Sequence, residues 1–328
     1  MMEINRKALY NSLRMNWELN PSVAVEPWQV EDYRSLPLNT LLEMLKTHHI
    51  LLDKDSFLAF ADIAETPEEL LETLFSDSTP TAKAQDQVYL VIFELWRRLL
   101  PEKPCLSIFC DELDYQIYLY DTNKAKTSES IEDVLANLKV LLEENSDLDN
   151  DPQGSFNYIN NACANDLECF LFDFITEQID NKNYPYATEL LEDFISHIHD
   201  VKWFELLQVR ILISTDPEEA DEIIKELLET TEEEKDLEFN LEILTFFVSN
   251  GDEKTFLSIV RKTLPLIQLE EDFQSLISIC IDFYQRLDKE KIEKELQKIL
   301  NHRIGCNLAS PFDPKNPQLV EFFKIINC

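Results

Sequence analysis

From residue 165 onward the chain reads as helix after helix with short joints, and this run constrains the fold more than any other feature. Apolar residues recur at helical spacing over 165–181, 185–198, 201–213, 217–229, 233–249, 252–267, 270–286 and 289–301. The joints hold Asn181 to Pro185, His199-Asp200, Thr215-Asp216-Pro217 and Asn250-Gly251-Asp252, each of them an N-cap or a chain reversal. Taken in pairs, the helices start near 165, 201, 233 and 270. The second helices align on Ala187, Ala220, Thr255 and Ile292, and four residues on from these stand Leu191, Ile224, Ile259 and Leu296. A small residue early in the second helix lets it cross its partner closely, and the aliphatics that follow bury the shared face. No single pair can bury that face alone, so pairs must stack.

With this spacing, residues of about 165–302 resemble tetratricopeptide-like repeats. The resemblance implies a superhelical array with a concave surface for another protein's helix or extended segment. The first helices lack the family's Trp and its Leu-Gly pair, and its closing Pro between repeats is missing, so HEAT-like or irregular α-α packing stays open. Predicted packing positions are Ala187, Leu191, Ala220, Ile224, Ile259 and Leu296.

Ahead of the array the pattern is less regular. Pro21, Pro27 and Pro37 predict an irregular segment over 1–37, anchored by Trp17 and Trp28. Helices are expected from Leu38 to about His49, through Phe57 to Ile63, from Thr66-Pro67 to Phe75, from Ala82 to Leu100 and from Ser130 to Glu144. Between the last two, Cys105–Cys110 and Gln116–Tyr120 are short, aromatic and β-branched around Asp111-Glu-Leu-Asp114, which predicts a β-hairpin over 105–120. The expected fold is mainly α: an N-terminal α domain with one β-hairpin (38–144), a polar linker (145–155), a helical-repeat domain (156–303) and a tail (304–328) that folds back on the array or docks on a partner or a second copy.

Sixty-four acids against 29 bases give a net charge of −35. This argues against direct nucleic-acid binding, which needs basic residues on phosphates, and points to a protein partner of basic character. Glu218, Glu219, Glu222, Glu226, Glu232, Glu233 and Glu234 are the candidate acidic partner surface. Gly154, Gly251 and Gly305 are the three glycines and stand far apart, so no phosphate-cradling loop or nucleophile elbow can be built. No apolar run approaches the roughly 20 residues of a membrane span. The seven cysteines are scattered, with no C-x-x-C, as in a reduced cytoplasmic protein.

Candidate chemistry is sparse. Asp149, Asp151 and Gln153 with Gly154 resemble part of a calcium loop, but Pro152 occupies its fourth position and Asn160 stands where a bidentate Glu is needed. His197 and His199 point to different helix faces, and no nucleophile has a recognisable supporting base. The expectation is no catalytic residue, no cofactor and no metal. The leading functional reading is a non-enzymatic cytoplasmic scaffold, adaptor or chaperone acting through an acidic helical-repeat surface. An acidic carrier or nucleic-acid mimic for basic ligands, and an enzyme with its site in the N-terminal domain, are the alternatives.

Overall fold

Three helices begin with the same two-residue device. Thr66-Pro67, Asp151-Pro152 and Asp216-Pro217 each put an oxygen acceptor at the N-cap and Pro at the first helical position. Thr66 Oγ1 accepts from Glu69 N at 3.2 Å, Asp151 Oδ1 from Gly154 N at 2.9 Å and Asp216 Oδ1 from Glu219 N at 3.2 Å. Each cap satisfies a backbone donor that the first turn cannot.

In this computed structural model, residues 6–76, 80–124, 129–149, 151–213 and 215–326 are described. The helices are α1 (Arg6–Leu19), α2 (Leu38–Thr47), α3 (Lys54–Asp62), α4 (Pro67–Leu74), α5 (Ala82–Leu99), α6 (Leu106–Asp121), α7 (Glu129–Asp149) and α8 (Pro152–Asn160). They continue with α9 (Leu167–Asp180), α10 (Tyr184–Phe194), α11 (Val201–Leu212), α12 (Pro217–Glu233), α13 (Leu237–Asn250), α14 (Glu253–Thr263), α15 (Glu270–Arg286), α16 (Glu290–Arg303) and α17 (Pro317–Ile326). Two compact units result: Met1–Phe174 with Glu192–His199, and Ile175–Leu191 with Asp200–Cys328.

The expected β-hairpin at 105–120 is corrected: the segment is α6, and no strand occurs among the described residues. Its buried residues are Ser107, Cys110, Asp111, Leu113, Asp114 and Ile117, a helical stripe. Two of them are carboxylates, so the stripe is interrupted by charge and in sequence resembles a polar turn between two strands. The N-terminal segment is corrected as well, since Arg6–Leu19 is helical rather than irregular. The stretch expected as a linker, 145–155, holds the end of α7 and the start of α8.

In the first unit, α5 is the buried axis, with Val88 through Trp96 all inaccessible, and α2 and α4 pack on it. Lys103 closes α3 by donating to the carbonyls of Ala61, Asp62 and Ala64 at 3.0–3.2 Å. In the second unit, α11 pairs with α12, α13 with α14 and α15 with α16. The first helices also touch in succession, α11 on α13 and α13 on α15. Helix pairs packed in chain order are compatible with a helical repeat. Phe256 and Phe283 stack within that core at 3.7 Å between ring centroids.

The tail folds back on its own unit. Phe312 N donates to Gln268 O at 2.8 Å, Phe322 is fully buried, and Phe273 lies against both rings. Arg303 is buried beneath, paired with Glu270 and donating to Gln318 Oε1 at 2.6 Å.

Glycine scarcity shows at the helix ends. His49, Asn123, Lys182 and Asp288 have φ between 53° and 63°, in the left-handed region. Each follows a helix and closes it with paired bonds, such as Asn183 N to Gln178 O and Lys182 N to Ile179 O. Glycine is the usual occupant of this position, because it has no Cβ to strain.

Candidate functional site

Helix α6 organises the first unit through its two buried carboxylates. Asp111 and Asp114 are each 3% exposed. Asp111 Oδ2 accepts from Arg34 Nη2 at 2.6 Å, and its Oδ1 lies 3.1 Å from Lys7 Nζ. Burial alone would raise the Asp111 carboxyl, but the adjacent Lys7 and Arg34 charges overcome this and hold it at about 2. Arg34 also bonds Glu112 at 2.9 Å and covers the Tyr115 ring at 4.0 Å. It is presented by a turn that Arg98 of α5 clamps, donating to the carbonyls of Leu36, Tyr33 and Arg34 at 2.7–2.9 Å. Arg98 is in turn paired with buried Glu94.

Asp114 faces the other way. It accepts from the backbone of Ala164 at 2.9 Å and of Asn165 at 3.0 Å, and from the side chains of Asn165 and Asn11. Burial pushes its carboxyl upward against these donors. One turn back, Cys110 Sγ approaches Ile159 O of α8 at 4.0 Å. The loop after α8 is thereby tied to α6.

Two depressions flank this scaffold. One, walled by Tyr10, Tyr33, Tyr115 and Tyr118 beside Asp111, holds about 70 Å³. That is far below the several hundred Å³ of an ordinary ligand site. Both carboxylates beside it are spent on cations and N–H donors. They position helices.

The second is an open groove of about 1280 Å³. One wall is α4, through Glu68, Leu71, Glu72 and Phe75 at helical spacing; the other is α8, through Gly154, Asn157, Tyr158, Asn161 and Ala162. The first turn of α6, Cys105 to Ser107, lies between them. The geometry is fixed from beneath. Glu68 accepts from Tyr89 Oη at 2.7 Å and from Ser107 Oγ at 3.3 Å, joining α4 to α5 and α6. Burial and the Glu68 charge raise the Tyr89 phenol well above its ordinary value. Burial likewise raises the Cys105 thiol, so this cysteine is not a poised nucleophile. Tyr158 stands 66% exposed on the α8 wall, a large aromatic surface turned to solvent.

The sequence-predicted residues fall elsewhere. Ala187, Leu191, Ala220, Ile259 and Leu296 are buried, and Ile224 is half-buried against the second unit's core. Glu218, Glu219, Glu222 and Glu226 lie exposed on α12. Glu234 is exposed and paired with Lys202 at 2.6 Å, while the side chains of Glu232 and Glu233 lie outside the described residues. The calcium candidates do not converge. Asp151 is spent as an N-cap, the Gln153 amide donates to Ile198 O at 3.1 Å, and the Asp149 side chain lies outside the described residues. No group of metal-binding side chains forms among the described residues. His197 is buried with Nδ1 3.3 Å from Pro152 O.

Sequence reasoning missed the groove and the Asp111–Asp114 pair. The spacing Glu68, Leu71, Glu72, Phe75 was readable as one helix face. What faced it, 80 to 90 residues on, was not. No protein-family model, curated protein or solved structure matches this chain. No described helix is long and apolar enough to cross a membrane.

Proposed function

We propose that the chain is a protein-binding helical scaffold and that the α4/α8 groove of the first unit is a docking surface. The observation that carries this reading is the groove itself. It is large and open, its floor and walls mix Leu71, Phe75, Leu106, Tyr158 and Ala162 with a few polar groups, and buried bonds hold it in place. An open surface of this size that mixes apolar and polar side chains suits a protein interface better than an enclosed small-molecule site. The tetratricopeptide-like reading of 165–302 belongs to the same proposal. The succession of helix pairs in the second unit supports it, with the exposed carboxylates of α12 as a further acidic surface for a basic partner.

The test is site-specific photo-crosslinking in cells that make the protein. A photoreactive residue at Asn157 or Asn161, both exposed in the groove, is expected to capture a discrete protein species. The same residue at exposed Lys298 of α16 is expected to give none of it. Equal capture at all three positions, or none at Asn157 and Asn161, refutes the docking role.

A further inference from the structure

We infer that the groove takes an amphipathic helix whose basic residues, one turn apart, meet Glu68 and Glu72. The inference rests on the docking role proposed above and specifies the partner's chemistry.

The charge argument begins with α4. Glu68 and Glu72 both line the groove, and four residues of helix place them about 6 Å apart along its axis. Among the described residues no cation pairs with either. Glu68 accepts only from neutral hydroxyls, so its full charge remains, and Glu72 is exposed. The one cation lining the groove, Arg6, is paired with Asp86 at 3.4 Å and lies over the Tyr89 ring. The α4 wall is therefore uncompensated anionic surface, while the α8 wall is neutral, carrying Asn157, Tyr158 and Asn161. A chain of net charge −35 adds a long-range field that draws basic segments towards it.

The form of the occupant follows from backbone bonding. An extended peptide gains most where a strand edge pairs its N–H and C=O groups, and no strand lies among the described residues. A helix satisfies its own backbone and needs only a trough between two ridges. The walls are themselves helices, so a third helix completes a ridge-into-groove packing. About three turns of helix some 10 Å across occupy a volume like that of this groove.

Its orientation is also defined. The first turn of α6, Cys105 to Ser107, lies at the groove, and its Ser107 hydroxyl donates to Glu68 at 3.3 Å. Lysines of the partner are favoured along α4, at Glu68 and Glu72. Its apolar stripe faces Leu71, Leu106 and Ala162, and its uncharged polar face meets α8.

The experiment uses the full chain and three fluorescent peptides of about 16 residues, identical in their Leu stripe. They carry Lys, Gln or Glu at two flanking positions one turn apart, and binding is read by anisotropy. The Lys peptide is expected to bind about tenfold more tightly than the Gln peptide, with the advantage shrinking as salt rises. Glu72→Lys, a change at an exposed helical position, is expected to abolish the advantage of the Lys peptide. Asn157→Trp, which fills the groove, is expected to weaken all three, and circular dichroism confirms that both variants fold. Equal Lys and Gln binding that Asn157→Trp still weakens overturns the basic partner and leaves the docking role standing. Binding untouched by Asn157→Trp overturns both. Failure of all three peptides to bind overturns this inference, and the crosslinks at Asn157 and Asn161 then judge the docking role separately.

Discussion

Asp111 and Arg34, 77 residues apart in the chain, meet at 2.6 Å with the carboxylate buried. Removing the carboxylate charge by Asp111→Asn leaves Lys7 and Arg34 without their shared anion. It is expected to cost about 3 kcal/mol at neutral pH. The loss depends on pH. The folded-state carboxyl is held at about 2, below its ordinary 3.8, so its stabilisation is complete above pH 4 and fades as pH falls from 3.8 towards 2. The gap between wild type and variant in urea unfolding is therefore constant from pH 7 to 5 and narrows below 4. A gap that widens on acidification contradicts the assignment.

Arg303 and Glu270 form the corresponding buried pair of the second unit, beneath the folded-back tail. Glu270→Leu alone strands the guanidinium and is expected to lower stability by about 3–5 kcal/mol. The double variant Glu270→Leu, Arg303→Met is expected to recover most of this, because no charge is left buried. Thermal melts of the three proteins decide it.

The left-handed helix ends offer stabilisation. Lys182 and Asp288 are exposed, with φ of 62° and 54°. Lys182→Gly and Asp288→Gly each relieve a Cβ clash and are expected to add about 0.5–1 kcal/mol, seen as a higher urea midpoint at unchanged slope. A lower midpoint shows that the chain entropy of glycine outweighs the strain.

Asn240 is 1% exposed, and neither its amide nitrogen nor its oxygen meets a partner. Asn240→Leu replaces an unsatisfied amide with an apolar branch of related shape. It is expected to stabilise by about 1 kcal/mol, measured by calorimetry.

Ala220 is 1% exposed inside the second unit's core. Ala220→Arg forces both bulk and charge into that space and is expected to cost at least about 3 kcal/mol. An unchanged melting temperature means that the α11/α12 crossing does not depend on a small residue there.

The repeat region was the most legible part of the sequence. Its helices carry simple apolar stripes, and α11 to α14 each follow an Asp N-cap, so α11 to α16 lie within a few residues of their expected spans. Helix α6 was illegible for a physical reason. Its buried face carries Asp111 and Asp114, and a stripe containing charges does not look like a core until their partners are known. Those partners, Lys7, Arg34, Ala164 and Asn165, are distant in sequence. Helix α1 was obscured similarly: its buried face is short, Ala8 and Tyr10, and much of its attachment is ionic. The groove was hidden because its walls come from separate helices, each unremarkable alone.

The two carboxylates of α6 also set an order of events during synthesis. Lys7 and Arg34 leave the ribosome before Asp111 does, so that carboxylate meets its cations as it emerges. Asp114 must wait for Ala164 and Asn165, 50 and 51 residues later. Through that interval the nascent chain holds a carboxylate without most of its donors, and the α8 side of the groove is not yet tied to α6. The α8 wall of the groove thus waits for Ala164 and Asn165, and Ile198, which accepts from Gln153 of α8, follows later still.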